Sequence, residues 1–451
     1  MRTLIAGLAV LAGAAVSQVR IVTVDDDRPA DFATIQAAID DANDGDTVEI
    51  QPGTYTGDGN RDISFRGKAV TVRSLNGPED CIIDCQGSEA EPHRGFLFHN
   101  WEDSNSILDG FTITNGYDQV CGGGIHCGSG SPTIQNCIIT NNRAGDDGGG
   151  IMCSVASPTI RNCIITRNIA EVWEGGAIRC HACTGAVLDN CLITENSARF
   201  GGGIGSSRDN SPRLVDVIVT NCTFSANSAQ YGGAVYVRDG SEPFIVNSIL
   251  WGDTALYGPE IALEDFLGPA AFLHVSFSDV QGGEADVYNY GYLYWEVGNI
   301  DADPCFADRS NGDYHLKSQA GRWDASEERW TIDEVTSPCI DAGEPMSPIG
   351  YEPFPNGAII NMGAYGGTAE ASKSYFGEPI CETIIAGDIN GDCAVSFDDF
   401  ALMALGGTAE ASKSYFGDPP CKIIVAGDIN RDCAVNLEDF ALMALHWLEQ
   451  R

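Results

Sequence analysis

Basic side chains and long apolar runs are both scarce in this sequence. Its 451 residues hold 25 lysines and arginines against 64 aspartates and glutamates, which gives a formal net charge of -39. So few cations cannot displace phosphate counterions along a nucleic acid, and the same charge disfavours an anionic membrane surface. Beyond the N-terminus no stretch approaches about 18 uninterrupted apolar residues, the length that a spanning helix needs. Nucleic-acid binding and a membrane span in the mature chain are therefore excluded.

The N-terminus has the pattern of a secretory signal peptide. A positive charge at Arg2 precedes an apolar run that ends at Val16, and small residues at positions 15 and 17 offer a cleavage site. The run is too short for a spanning helix, and an uncleaved anchor is the alternative. We expect residues 1–17 to be removed and the mature bacterial protein to be extracytoplasmic, either secreted or at the cell surface.

The middle of the chain repeats with a period of about 26 residues. Each copy holds three short runs, Gly-Gly-Ile-x-Cys, Thr-Ile-x-Asn and Cys-x-Ile-Thr, in which apolar and polar residues alternate. A change of parity between Asn136 and Cys137 indicates a bend that turns Ile134, Cys137 and Ile139 inward together. Three strands and three bends in each copy predict a solenoid whose strands stack in parallel about 4.8 Å apart.

These repeats resemble the right-handed parallel β-helix family, which includes pectate lyases and polygalacturonases, over roughly residues 60 to 300. The segment 32–55 is similar to the amphipathic capping helix and first strand of such proteins, and Asp31 is a candidate N-cap. The predicted fold class is all-β, a right-handed parallel β-helix with an N-terminal capping helix and a small α-helical EF-hand-like C-terminal module. The predicted divisions are 18–60 for the cap and first coil, 61–300 for the β-helix, 301–365 for its C-terminal end and 366–451 for the module.

Two kinds of residue recur in columns along the repeat. The asparagines form one column at 136, 162, 190 and 221 and another at 142, 168, 196 and 227. We interpret both as structural amide ladders, with ligand binding as the alternative. The stacked cysteines are expected to be buried thiols, with occasional disulfides or a metal as alternatives. In the segment after the coil no site is predicted, and Cys305 and Cys339 are candidates for a disulfide.

The loops before the glycine pairs hold the candidate substrate-binding residues. These are Asp147, Trp173, Glu174, Phe200 and Tyr231. Rings can stack on pyranose faces and carboxylates can bind hydroxyls, so the loops suit a sugar. Two carboxylates on adjacent coils could also approach the roughly 5 Å separation of a retaining glycosidase pair. The alternative is a solvated loop with incidental acids.

The family resemblance supplies no catalytic set. Polygalacturonases have Asn-Thr-Asp, Asp-Asp, Gly-His-Gly and Arg-Ile-Lys motifs on successive coils, whereas only the pair Asp146 and Asp147 is present here. A basic residue beside a calcium-binding acid cluster, as in pectate lyases, is not evident either. Catalytic residues are therefore left unassigned, and an enzyme of this kind would be a polysaccharide lyase or glycoside hydrolase.

The C-terminus contains two calcium-type loops inside a tandem duplication, in which residues 366–405 recur as 406–445. Oxygen ligands stand at loop positions 1, 3, 5, 7, 9 and 12, a spacing typical of EF-hands. The first loop offers Asp388, Asn390, Asp392, the Ala394 carbonyl, Ser396 and Asp399, and the second offers Asp428, Asn430, Asp432, the Ala434 carbonyl, Asn436 and Asp439. We predict two Ca²⁺ sites as the cofactor content.

The paired loops resemble a type I dockerin, with two departures. Position 6 of each loop is cysteine (Cys393 and Cys433) where glycine is expected, and the separation between the loops is long. The resemblance implies a cohesin-like or cell-surface protein as a partner. The leading hypothesis is an exported β-helix protein that binds or scaffolds extracellular polysaccharide or surface glycan. The alternatives are a polysaccharide lyase or hydrolase with a docking module and a non-catalytic surface adhesin.

Overall fold

The computed structural model describes residues 19–208, 216–265 and 268–376. The signal peptide and both calcium-type loops, 388–399 and 428–439, lie outside these residues. No helix in the described ranges is long and apolar enough to cross a membrane. The architecture is an all-β parallel solenoid with one short α-helix, which confirms the predicted β-solenoid.

Three parallel sheets form the walls of the solenoid, and most coils contribute one strand to each. Sheet 1 has eleven strands: Ile21–Val24, Thr47–Ile50, Thr71–Ser74, Ile107–Asp109, Thr133–Gln135, Thr159–Arg161, Ala186–Asp189, Val217–Thr220, Phe244–Val246, Phe272–Ser276 and Tyr292–Trp295. Sheet 2 has nine: Gly53–Tyr55, Cys81–Asp84, Thr112–Thr114, Ile138–Thr140, Ile164–Thr166, Leu192–Thr194, Thr223–Ser225, Ile249–Leu250 and Asp279–Val280. Sheet 3 also has nine: Ile63–Ser64, Phe96–Phe98, Ile125–Gly128, Ile151–Ser154, Ile178–His181, Ile204–Ser207, Val235–Arg238, Ile261–Glu264 and Tyr288–Asn289.

Shorter elements join these walls and follow them. Small parallel sheets lie in the loops between sheets 2 and 3, with strands Tyr117–Asp118, Arg143–Ala144 and Ile169–Ala170 in one and Ser228–Tyr231 and Thr254–Tyr257 in another. The segment after the last coil has two antiparallel hairpins, Phe306–Asp308 with Asp313–Leu316 and Arg322–Asp324 with Arg329–Thr331. The 3-10 helices are Gly283–Asp286 and Arg309–Asn311.

The bend between sheets 1 and 2 has the geometry that the sequence predicts. Asn136, Asn162, Asn190 and Asn221 all have φ between 50° and 53°, the left-handed region that asparagine tolerates better than most residues. As a result Ile134, on one side of the bend, and Ile139, on the other, both point into the core with no exposed surface. The predicted change of parity is confirmed.

Two columns of cysteines run through this core. One column is Cys127, Cys153 and Cys180 on successive strands of sheet 3, and the other is Cys137, Cys163 and Cys191, each just before a strand of sheet 2; all are buried. Every cysteine of the described ranges is a free thiol, so the disulfide considered between Cys305 and Cys339 is not formed. The Cys339 Sγ instead donates to the Asp279 carboxylate at 3.0 Å.

The capping helix spans Ile35–Asp41 and covers the N-terminal end of the solenoid through Ile35 and Ile39. Its N-cap is Thr34, whose hydroxyl accepts from the Ala37 N–H, so the expectation that Asp31 caps it was wrong. The Asp31 carboxylate instead accepts from the backbone N–H and the hydroxyl of Thr23 on the first strand, both at 2.9 Å.

The second asparagine column is a continuous buried ladder. The Asn142 side-chain amide donates to the Asn168 carbonyl at 3.0 Å, and this contact recurs from Asn168 to Asn196 at 3.0 Å and from Asn196 to Asn227 at 2.9 Å. All four are fully buried, so the ladder satisfies polar groups that water cannot reach. The predicted amide ladder is confirmed.

The ladder ends on a carboxyl pair. The Asp253 Oδ1 accepts from the side chain and the backbone N–H of Asn227 at 2.8 and 2.6 Å, and Glu260 Oε1 accepts from the Asp253 N–H at 3.2 Å. The second oxygens, Asp253 Oδ2 and Glu260 Oε2, find no donor among the described residues. Burial raises the pKa of Glu260 far above its ordinary value, and the adjacent Asp253 raises it further. Since two touching carboxylates cannot both ionise, we expect the pair to hold a proton at neutral pH.

The C-terminal segment is bound to the outside of sheet 2. A short stretch, residues 361–366, lies across the asparagine bends, and we call it the strap. The Asn190 side-chain amide donates to the Ala364 and Gly366 carbonyls at 2.9 and 2.6 Å, and Gly363 N–H donates to the Asn247 carbonyl at 2.8 Å. In this column Asn162 donates to Asn136 at 3.3 Å and Asn247 to Asn221 at 3.4 Å, whereas the Asn190 side chain donates to the strap.

Candidate functional site

The loops that lead into sheet 3 stack into a ridge along the solenoid axis. Glu174, Phe200 and Tyr231 are paired in sequence by parallel bridges, and Tyr231 pairs with Tyr257 on the next coil. The residue that follows each is a glycine with φ between 60° and 70°, which turns the chain from the ridge onto the sheet. The glycine pairs therefore place one side chain of each coil on the ridge.

Aromatic rings form most of the ridge. Trp173 stacks on Phe200 with ring centres 5.6 Å apart, Phe200 on Tyr231 at 5.3 Å, and Tyr231 on Tyr257 at 4.7 Å. The ring planes lie within 22° of parallel, so neighbouring rings cover one another's faces. Trp173 is the first ring of the column and is 38% exposed, and the Arg199 guanidinium lies 5.8 Å from its ring centre.

A cluster of opposite charges lies beneath the ridge on sheet 3. Glu174 is 1% exposed, and its carboxylate contacts Arg179 Nη1 at 2.9 Å and the guanidinium of Arg238. Arg179 Nε lies 3.6 Å from the Asp147 carboxylate, and Arg238 also pairs with Asp239. Burial opposes the charge of Arg238, but the two neighbouring carboxylates outweigh it and raise the pKa of the guanidinium. The cluster thus brings two guanidiniums into contact with three carboxylates.

Gly205 makes room for the buried carboxylate. A Cβ at this position would lie 2.8 Å from the Glu174 Cβ and 2.9 Å from the Gly175 backbone nitrogen, both closer than packed atoms allow. The strand position beneath Glu174 therefore has to be glycine. On the following coil the equivalent residue is Tyr236, whose hydroxyl donates to Glu264 at 2.8 Å.

The five predicted binding residues are all on this ridge, but they differ in access to solvent. Asp147 and Trp173 reach the surface, with 29% of the Asp147 side chain exposed. Tyr231 is half-buried, whereas Phe200 and Glu174 are buried. The backbone N–H of Glu174 donates to the Asp147 carboxylate at 2.9 Å, which joins adjacent coils. A ligand could therefore touch Asp147, the exposed part of the Trp173 ring and the edges of the tyrosine rings.

Sequence reasoning missed the basic partners of this cluster. Arg179 and Arg238 lie at outward positions of sheet 3 strands, where alternation places a polar residue without naming its role. Tyr257 was also missed, although its place one coil after Tyr231, immediately before a glycine, was a usable signal.

A second polar concavity lies in the C-terminal segment, where no site was predicted. It encloses about 490 Å³ and is lined by Asp308, Asp313, His315, Arg322 and Asp324 among others. His315 Nδ1 lies 2.7 Å from Asp313, and Arg322 Nη1 lies 3.2 Å from the same carboxylate. Burial opposes the charge of His315, but Asp313 and Glu370 outweigh it and raise its pKa. The charged groups of this concavity are thus paired with one another by hydrogen bonds.

Comparison with known families supports the architecture. The family model described as "Right handed beta helix region" matches residues 97–258, and one described as "Disaggregatase related" matches residues 284–343. The solenoid is thus a right-handed parallel β-helix. Among curated proteins none matches the chain.

Several solved structures align weakly with the chain. One, a pectate lyase Pel9A, has a TM-score of 0.38 and 16% identity, covering 78% of this chain and 97% of that one. A rhamnogalacturonan lyase has a TM-score of 0.39 and 12% identity, covering 71% and 96%. An alginate lyase from a Paenibacillus species has a TM-score of 0.25 and 13% identity, covering 63% and 99%.

Proposed function

We propose that the protein binds an extracellular polysaccharide along the ridge beside sheet 3, without cleaving it. The observation that supports this is the partly exposed ring of Trp173, with the Arg199 guanidinium 5.8 Å from its centre, next to the solvent-reaching carboxylate of Asp147. An aromatic face accepts the apolar face of a pyranose, and a carboxylate beside it accepts hydrogen bonds from ring hydroxyls. Further along the axis the tyrosine edges repeat once per coil, a spacing that suits a linear polymer.

The ion pairing of the acids argues against glycosidase chemistry at this site. A general acid must hold a proton near neutral pH, and a retaining nucleophile must reach the sugar. Glu174 is buried between two guanidiniums and out of reach of a sugar, and Arg179 lies between Glu174 and Asp147. Both carboxylates are thus occupied in holding the ridge to the sheet, and we place neither in a catalytic role.

The test compares Trp173→Ala with Trp101→Ala in the full-length protein. Trp101 is 79% exposed and outside the ridge, so it controls for loss of a surface indole. Affinity electrophoresis through gels containing pectate, alginate, xylan or galactan measures retardation by each polymer. We expect at least one polymer to retard the wild type, and Trp173→Ala to weaken that binding about tenfold, equivalent to about 1.4 kcal/mol.

Two results would contradict the proposal. Equal loss of retardation in both variants would place binding elsewhere, and no retardation of the wild type would remove the polysaccharide function. A reducing-end assay on the same polymers addresses cleavage. If the wild-type protein releases reducing ends and Glu174→Gln abolishes that release, the lyase or hydrolase alternative is favoured.

We further propose that the two C-terminal loops bind Ca²⁺ and attach the exported protein to a cohesin-like or cell-surface partner. The alternating oxygen ligands from Asp388 and Asp428 onward support this proposal. Isothermal calorimetry of the full-length protein should give two Ca²⁺ per chain. The Asp388→Ala variant should give one, and an unchanged heat in that variant would oppose the assignment.

A further inference from the structure

Among the described residues, the last strand of sheet 1, Tyr292–Trp295, leaves one edge unpaired. The Tyr292 N–H donates to the Ala271 carbonyl and the Glu296 N–H to the Val275 carbonyl, both at 2.8 Å. Because N–H and C=O groups alternate in direction along a parallel strand, those of Leu293 and Trp295 point away from the sheet. Within the described ranges no strand pairs with this edge.

The surface around this edge is aromatic and apolar. Tyr290 is 67% exposed, Tyr292 57%, Tyr294 44% and Val297 73%. Tyr292 stacks on Phe272 at 4.9 Å and Tyr294 on His274 at 4.4 Å. One ring face of Tyr292 and of Tyr294 is therefore covered by the preceding strand, and the other ring face points away from the sheet. An open strand edge of this kind pairs readily with another strand.

The opposite end of sheet 1 is closed. Phe32 pairs with Val24 on the outer side of the first strand, and the Asp31 carboxylate accepts from the Thr23 N–H at 2.9 Å. The capping helix covers the core beside it. A head-to-tail contact between copies, which would propagate into a filament, is therefore blocked at one of its two surfaces.

The segment around this strand edge also carries unusually few charged side chains. Residues 287–298 contain one charged side chain, Glu296, in a chain whose net charge is -39. Two copies that approach through this segment bring few like charges together, whereas most other orientations oppose acidic surfaces. The low charge and the unpaired edge favour the same partner, another copy of this segment.

We propose that the protein forms a two-fold dimer through the edges of two Tyr292–Trp295 strands. The strands pair antiparallel, so that the N–H and C=O groups of Leu293 and Trp295 bond across the axis and sheet 1 continues through both copies. The same patch is used on both sides, which closes the assembly at two chains. Tyr292 and Tyr294 of each copy then bury their open faces.

The test compares Tyr294→Lys with Tyr351→Lys, since Tyr351 is an 83% exposed tyrosine away from this strand. Sedimentation equilibrium of the full-length protein should show a dimer for the wild type and for Tyr351→Lys. A lysine on the edge places like charges in the interface, so Tyr294→Lys should raise the dissociation constant at least tenfold. A monomeric wild type, or an unchanged constant in Tyr294→Lys, would overturn the proposal.

Hydrogen exchange supplies a readout that does not depend on a variant. The amides of Leu293 and Trp295 should exchange slowly at concentrations where the wild type is dimeric, and faster on dilution into the monomer. The Tyr292 amide, bonded within the chain, should change much less. A dimer in which Leu293 and Trp295 exchange at the monomer rate would place the interface elsewhere and refute this assignment.

Discussion

Replacing Glu260 with glutamine should make the protein more stable at neutral pH. The Glu260 and Asp253 carboxyl groups interact within the core, and each has an oxygen for which the described residues provide no donor. In the wild type we expect a retained proton to fill that gap. A glutamine amide supplies an N–H donor in place of that O–H without requiring a proton from solvent, while its carbonyl can still accept from the Asp253 N–H.

The magnitude follows from linkage. Burial raises the pKa of Glu260 in the folded chain above its unfolded value, so its contribution to stability is complete below the unfolded pKa. That contribution is lost as pH rises toward the folded pKa, by about 1.4 kcal/mol per pH unit for one retained proton. Between pH 6 and pH 8 the wild type should therefore lose about 3 kcal/mol relative to Glu260→Gln.

Urea unfolding at pH 6, 7 and 8, followed by circular dichroism and tryptophan fluorescence, measures this difference. Coincidence of the two probes tests whether the transition is two-state. Glu284→Gln is a matched control because Glu284 is exposed. Its free energy of unfolding should follow the wild type at each pH, which isolates the effect of the buried pair from that of the many surface acids.

Two observations would refute this reasoning. One is a Glu260→Gln curve parallel to the wild type between pH 6 and pH 8. The other is an infrared difference spectrum at pH 7, wild type minus Glu260→Gln, that lacks the carbonyl band of a protonated carboxylic acid. Either would mean that the pair is ionised or bridged by a bound cation.

Three further predictions concern the core and the ridge. Asn168→Leu should lower the free energy of unfolding by about 3 kcal/mol because it leaves buried ladder groups unpaired, and a change under 1 kcal/mol in urea unfolding would contradict this. Gly205→Ala should cost about 2 kcal/mol by displacing Glu174, again measured by urea unfolding, and no loss would oppose the packing described. Among the described cysteines, native iodoacetamide labelling followed by peptide mass spectrometry should modify Cys121 and Cys305, which are partly exposed, well before the buried columns. Rapid labelling of a buried column would contradict that assignment.

The coil could be predicted because its determinants are local and repeated. The left-handed bend at Asn136 and the inward positions of Ile134 and Ile139 follow from alternation and from asparagine's conformational preferences. Repetition then shows which residues share a column, since equivalent positions must stack. The ridge of Asp147, Glu174 and the rings was found in the same way.

Other features depend on contacts between residues that do not occupy equivalent positions of the repeat. The cap position was mistaken because Asp31 finds donors on Thr23, eight residues earlier, and Thr34 serves the helix. The burial of Glu174 depends on Arg238, two coils away, and on the absence of a Cβ at position 205. Alternation places positions 205 and 238 on the outward face of sheet 3 but does not show that the ridge folds over them.

The strap has a mechanical consequence. In a solenoid whose coils contact only their neighbours, pulling on the C-terminus would peel off one coil after another. Here Asn190 and Asn247, which belong to coils two apart, both bind residues 361–366. Force applied at the C-terminus reaches the strap before the coils, and several hydrogen bonds must break together rather than in turn. A chain anchored by its C-terminus to a surface would therefore withstand a pull as a unit, up to the force at which the strap detaches.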